Sequence, residues 1–281
     1  MELWYALLSL LPFEWAQPGH LMFMKNALLA VLLMAPVFAL LGTMVVNNRM
    51  SFFSDALGHG AFTGLVIGSL LGFLVPMWAA ILFSVLFSVA ITVIRYRSGL
   101  ATDTVIGVFS SAAVALGIFL ATGSSGTARL SAYLVGDILS VGPGDLVMLI
   151  FLLAGVVVLW LLSFNRLLLI SVNPSLARSR GVRIFRVELL FTVLVAVIVT
   201  VSMPWIGLLV INSFLVLPAA ASRNLATGSR QYTALAILFS ILSGVIGLFV
   251  SYSADTATGA TIVLVMTLFF FLSMLVRRRN T

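Results

Sequence analysis

The sequence predicts an all-α polytopic membrane protein, a single membrane-embedded domain over residues 1–281. Three observations lead there: an apolar composition, apolar runs of spanning length, and basic residues sorted to one side. The chain is 62% hydrophobic and 8% charged, with a mean hydropathy of +1.23; soluble domains carry roughly 25% charged residues. A soluble core of 281 residues cannot hide that much apolar surface, so lipid is the solvent. There is no cysteine, which excludes disulfides, thiolate nucleophiles and cysteine-ligated metal clusters. The net charge of +7 fits cytoplasmic loops of a membrane protein better than a nucleic-acid surface, and no nucleic-acid partner is expected.

A helix needs roughly 20 apolar residues to cross a hydrocarbon core of about 30 Å. Nine runs approach that length, near 26–46, 56–75, 77–94, 104–122, 145–163, 187–203, 206–222, 233–253 and 259–276. Residues 1–20 lack a basic leader and read as a short interfacial segment. With the N-terminus outside, thirteen of the fifteen basic residues fall on the cytoplasmic side, and only Lys25 and Arg129 remain outside. The positive-inside rule selects this orientation, with the C-terminus cytoplasmic. Two connections stand out: an outer loop over about 123–145, and a cytoplasmic loop over about 165–186 in which Pro174 opens a short helix that Gly181 ends.

The second run carries Asp55 and His59, four residues apart and therefore on one helix face. If the helix is continuous from Arg49, Asp55 lies about 9 Å beyond that interfacial arginine and His59 about 15 Å, close to the midplane. An ionised Asp facing lipid there costs about 2.5–3.5 kcal/mol, so such groups line a bundle interior or a water-filled path. One carboxylate and one imidazole form a donor pair suited to zinc, manganese or iron(II). The residues also allow a structural pair, with Asp55 capping a helix and His59 bonded to a neighbouring backbone. Beside this face Gly60, Gly64, Gly68 and Gly72 recur every four residues, a stripe that lets another helix approach closely. Two donors are too few for a four-ligand site; a twofold homodimer would supply two Asp and two His. In the seventh run, Asn212 and Pro218 are candidates for the lining or gate of a path. Asp103 and Glu188 read as acids at helix starts.

The stretch "RMSFFSDALGHGAFTGLVIG" (49–68) resembles the Asp-x-x-x-His motif of the permease subunits of bacterial zinc, manganese and iron ABC importers. The resemblance continues in order through "TDTVIGVFSSAAVALGI" (102–118), "AYLVGDILSVGPGDL" (132–146), "LLVINSFLVLPAAASRNLA" (208–226) and "SYSADTATGATIVL" (251–264). It implies an ABC importer permease of the class shared with vitamin B12 permeases, in the bacterial cytoplasmic membrane. It also implies a homodimer joined to a pair of cytoplasmic ATP-binding subunits and fed by an external metal-binding protein. Asp55 and His59 then become the expected ligands of the transported zinc or manganese, with ATP on the partner and no permanently bound cofactor. The segment at Pro174, Ala177 and Gly181 becomes the coupling loop, the two small residues admitting the ATPase. The sequence departs from the family pattern at Gly58 and Gly60 (usually Ser and Ala), which predicts a looser helix around His59. It departs also at Asn173, Ser175 and Ala257.

This chain has no Gly-x-x-x-x-Gly-Lys-Ser/Thr phosphate loop, its one lysine standing elsewhere, so ATP hydrolysis belongs to a partner. Two other classes use the same pair: an ion-coupled secondary carrier with Asp55 and His59 as a relay, and an intramembrane metalloenzyme. The second lacks an HExxH or Gly-x-Ser-x-Gly motif. His20, Met22 and Met24 suggest a softer Cu(I) route, although a piece abutting the first span more often serves interfacial packing. Asp137 and Asp145 could meet basic residues of an external protein.

Overall fold

The structure, a computed structural model, describes residues 21–122 and 136–279, with side chains through Val276. The expected interfacial segment 1–20, His20, Arg129 and most of the outer loop lie outside the described residues. The elements are α1 (Met22–Asn47), α2 (Phe53–Leu70), α3 (Pro76–Ser98), α4 (Thr102–Thr122), a 3-10 turn (Ile138–Ser140), α5 (Pro143–Val172), α6 (Pro174–Ser179), α7 (Ile184–Ile206), α8 (Leu208–Leu225), α9 (Ser229–Ala254) and α10 (Thr258–Arg279). Among the described residues eight helices are long and apolar enough to cross a membrane. The ninth long helix, α2, is the one that Asp55, His59 and its glycines make less apolar. Each of the nine runs read from the sequence overlaps one of these nine helices.

The helices form two groups. In the first, α1 is the centre, packed against α5, α8 and α9, with α10 closing on α8 and α9. In the second, α2 packs against α3 and α4, and α3 against α7. The groups meet where α8 touches α2 and α7, and where α5 touches α7. Without a hydrophobic drive between helices in lipid, close packing and interhelical hydrogen bonds hold such a bundle. The glycine stripe does the first: a Cβ on Gly64 would stand 2.7 Å from the Ala80 Cα, and one on Gly68 2.7 Å from the Ala79 Cβ. Gly72 instead forms the turn after α2, with φ +72°. Hydroxyl groups do the second: Thr63 Oγ1 donates to the Ala113 carbonyl (2.8 Å), Ser240 Oγ to the Ala35 carbonyl (2.9 Å), and the Thr92 and Thr192 hydroxyls share a bond of 2.9 Å.

Two expectations change. The helix does not run on from Arg49: α1 ends at Asn47, and the chain turns through Arg49 at φ 56° before α2 begins at Phe53. The Met50 amide donates to the Val45 carbonyl and the Arg49 amide to the Val46 carbonyl, a Schellman closure with an arginine where glycine is usual. Glu188 is not a helix-start acid. It lies beyond the first turn of α7 and pairs with Arg95 of α3, the two side chains only 16% and 11% exposed. Asp103 does stand in the first turn of α4. Glu188→Ala would strand the Arg95 guanidinium, and a loss of about 3 kcal/mol is expected. A fall in the unfolding midpoint of the purified protein in detergent, larger than for Glu188→Gln, checks it.

The cytoplasmic segment is mostly helix. α5 continues to Val172, nine residues past the predicted end of its span at 163. Pro174 opens α6, with Asn173 Oδ1 accepting from the Leu176 amide, so the family departure at Asn173 still provides the cap. Gly181 ends it at φ +75°, with the Val182 amide donating to the Ala177 carbonyl. Gly181 is exposed, with no atom of its own chain within 4 Å of a Cβ placed on it. Ala177 faces inward, fully buried against Ile170 and Ile184. It seats α6 on its own chain, and the expectation that it admits a partner is corrected. Pro174, Ser175, Leu176, Arg178 and Ser179 are the exposed residues of that turn.

Candidate metal site where the two helix groups meet

Most of α2 is buried; Phe52, Asp55, His59 and Phe62 form its open stripe, at the spacing of one helix face. Asp55 stands in the first turn, where the helix dipole favours a carboxylate. His59 follows one turn on. The Asp55 Oδ2 and His59 Nε2 atoms are 3.6 Å apart, beyond a hydrogen bond, with side-chain exposures of 44% and 31%. Two lone-pair donors thus converge without consuming each other.

A third polar side chain completes the group. Asn212 of α8 donates from Nδ2 to Asp55 Oδ1 across 2.8 Å, while its own Oδ1 is buried with no hydrogen-bond partner. Beside it Gly58 packs on Leu208, the first residue of α8. The sequence marked Asn212 as a path residue and left its partner unnamed. Because α2 starts anew at Phe53, Asp55 and His59 are shallow when measured from their own helix start. The depth argument now rests on α8: about 20 Å of helix separates Asn212 from the end of α8 at Leu225, the side marked by Arg223. Pro218 lies buried between them, and α8 continues through it to Leu225.

The remaining candidates are placed elsewhere. Gly58 and Gly60 are buried in a continuous α2, so the looser helix expected around His59 is not found. Asp137 Oδ1 accepts from the Leu139 amide and Asp145 Oδ2 from the Gly142 amide, so both acids cap local structure. Asp137 also borders an outer cavity of about 400 Å³ between the 3-10 turn and the α9–α10 connection. Among the described residues no three His, Cys, Asp or Glu side chains gather, so one chain offers a metal only the Asp55–His59 pair from that set.

A bundle of membrane-length helices with an intramembrane carboxylate and imidazole at a helix-group junction is the frame of a transport permease. The sequence matches the ABC 3 transport family over residues 20–277, and the chain belongs to that family. It is 32% identical over 261 residues to the manganese import system permease protein ScaB of Streptococcus parasanguinis, covering 92% of this chain and 93% of that one. It is 30% identical over 259 residues to the high-affinity zinc uptake system membrane protein ZnuB of Haemophilus influenzae, covering 90% and 97%. Its fold matches the solved structure of PsaBC from Streptococcus pneumoniae in complex with Fab, with a TM-score of 0.77 at 29% identity over 97% of this chain and 95% of that one. The chain is a multi-pass ABC permease of the bacterial cytoplasmic membrane.

Proposed function

We propose that this chain is the transmembrane subunit of an ATP-driven importer of divalent transition-metal ions, zinc or manganese. It works as a homodimer whose transit site is built from Asp55 and His59 of each copy. The observation that carries this is the open stripe of α2: its carboxylate and imidazole stand 3.6 Å apart and half-exposed on a helix otherwise buried in the chain. Left facing lipid, the carboxylate costs about 2.5–3.5 kcal/mol. A second copy placed against that stripe removes the exposure and raises the donor set from two to four, the number a zinc site takes. The relatives' names, one a manganese import permease and one a zinc uptake protein, support the same cargo class. Energy comes from a pair of cytoplasmic ATP-binding subunits that engage the exposed residues of α6, and an external metal-binding protein delivers the ion.

The test expresses the chain with such an ATPase and binding protein and measures zinc, manganese and iron in the cells by elemental analysis. Accumulation of one metal that stops when the ATPase is inactivated, and persists under a proton uncoupler at fixed ATP, is the expected result. Uptake that survives ATPase inactivation and collapses with the uncoupler assigns the chain to the ion-coupled carriers instead.

A further inference from the structure

We infer that Asn212 sets the metal preference of the transit site, by bonding to one oxygen of Asp55 and so favouring four-coordinate zinc over six-coordinate manganese. This rests on the transit-site reading above. The amide of Asn212 bonds Asp55 Oδ1 at 2.8 Å, and the other carboxylate oxygen, Oδ2, is the one that faces His59 Nε2. That bond occupies one lone pair of Oδ1 and biases Asp55 toward binding a metal through Oδ2. Two copies then present two oxygens and two imidazole nitrogens, a tetrahedral set. Freed from Asn212, each carboxylate can chelate through both oxygens, and the set rises to six, the number manganese prefers.

Asn212 is also costly where it stands. Its Oδ1 is buried and unpaired, a penalty that an apolar side chain of the same shape does not carry. Packing alone favours leucine there. The bond to Asp55 is what the amide does in exchange. Asn212 is therefore a positioning residue, acting on the metal through Asp55.

Because affinity order alone favours zinc over manganese, the informative quantity is the change in preference with the side chain, not the preference itself. An external binding protein also selects metal upstream, so the readout is the purified permease with its ATPase. The complex is dialysed against equimolar zinc and manganese chlorides and its bound metal counted by elemental analysis. Asn212→Leu is expected to lower the bound zinc-to-manganese ratio roughly tenfold, the lower end of what outer-shell partners contribute to metal affinity. Should Asn212→Leu fail to reach the membrane, Asn212→Val carries the same expectation. An unchanged ratio in a variant that still binds metal overturns the inference and leaves the transit site standing. If His59→Ala binds as much zinc as the wild-type protein, the transit site itself falls.

Discussion

Replacing His59 or Asp55 with alanine is expected to reduce metal uptake to less than about one hundredth of the wild-type rate, at unchanged levels in the membrane. The size follows from symmetry: in a homodimer each substitution removes two of four ligands. It should not be a folding effect. Both side chains are partly exposed in the single chain, at 31% and 44%, and neither belongs to the packed core. The unfolding midpoint of the purified variants in detergent should therefore stay close to that of the wild type. Asp55→Asn separates the two roles open to the carboxylate. It keeps the volume and an oxygen to accept the Asn212 amide, but it loses the charge. If Asp55 serves as a ligand, this variant is as inactive as Asp55→Ala. If Asp55 serves only to anchor α8 through Asn212, Asp55→Asn transports normally, and the metal assignment would then rest on the relatives alone.

The residues of this site were legible to different degrees. Asp55 and His59 could be read because a four-residue spacing fixes a shared face on any helix, whatever packs around it. The stripe Gly60, Gly64 and Gly68 could be read for the same reason, as could the Pro174 start and Gly181 stop of α6. Local rules ended where tertiary contacts began. Arg49 adopts φ 56°, a conformation that sequence assigns to glycine, so the break between α1 and α2 was hidden and the depth of Asp55 was measured along a helix that does not exist. Asn212 announced itself as a polar residue in an apolar span, but its partner lies 157 positions away, on another helix group. Ala177 shows the reverse error. A small residue signals close approach, and the sequence alone does not say whether the neighbour is a partner or the chain's own Ile170 and Ile184.

Two glycines packed against α8 should respond differently to one added methyl. Gly42 of α1 faces α8 so closely that a Cβ would lie 2.1 Å from the Leu215 carbonyl oxygen and 2.9 Å from its carbon. An ordinary carbon–oxygen contact is about 3.3–3.6 Å, so α1 and α8 must part by roughly 1 Å or more, and backbone cannot rotate out of the way. Gly42→Ala is therefore expected to cost about 1–3 kcal/mol or more. It should also impair uptake, because Leu215 is one turn along α8 from Asn212, and moving that turn pulls the amide off Asp55. Gly58 is as crowded by distance, its Cβ meeting Leu208 at Cδ1 (1.7 Å), Cγ (2.7 Å) and Cδ2 (2.8 Å), but all three atoms belong to a side chain rather than to backbone. Leu208 can change rotamer, and alanine gains up to about 1 kcal/mol over glycine in a helix, so Gly58→Ala should be near neutral in stability and retain uptake. Thermal unfolding and uptake of the two variants side by side decide the matter. If Gly42→Ala is silent and Gly58→Ala is inactive, the site is held by α2 alone rather than by the seam between α1 and α8.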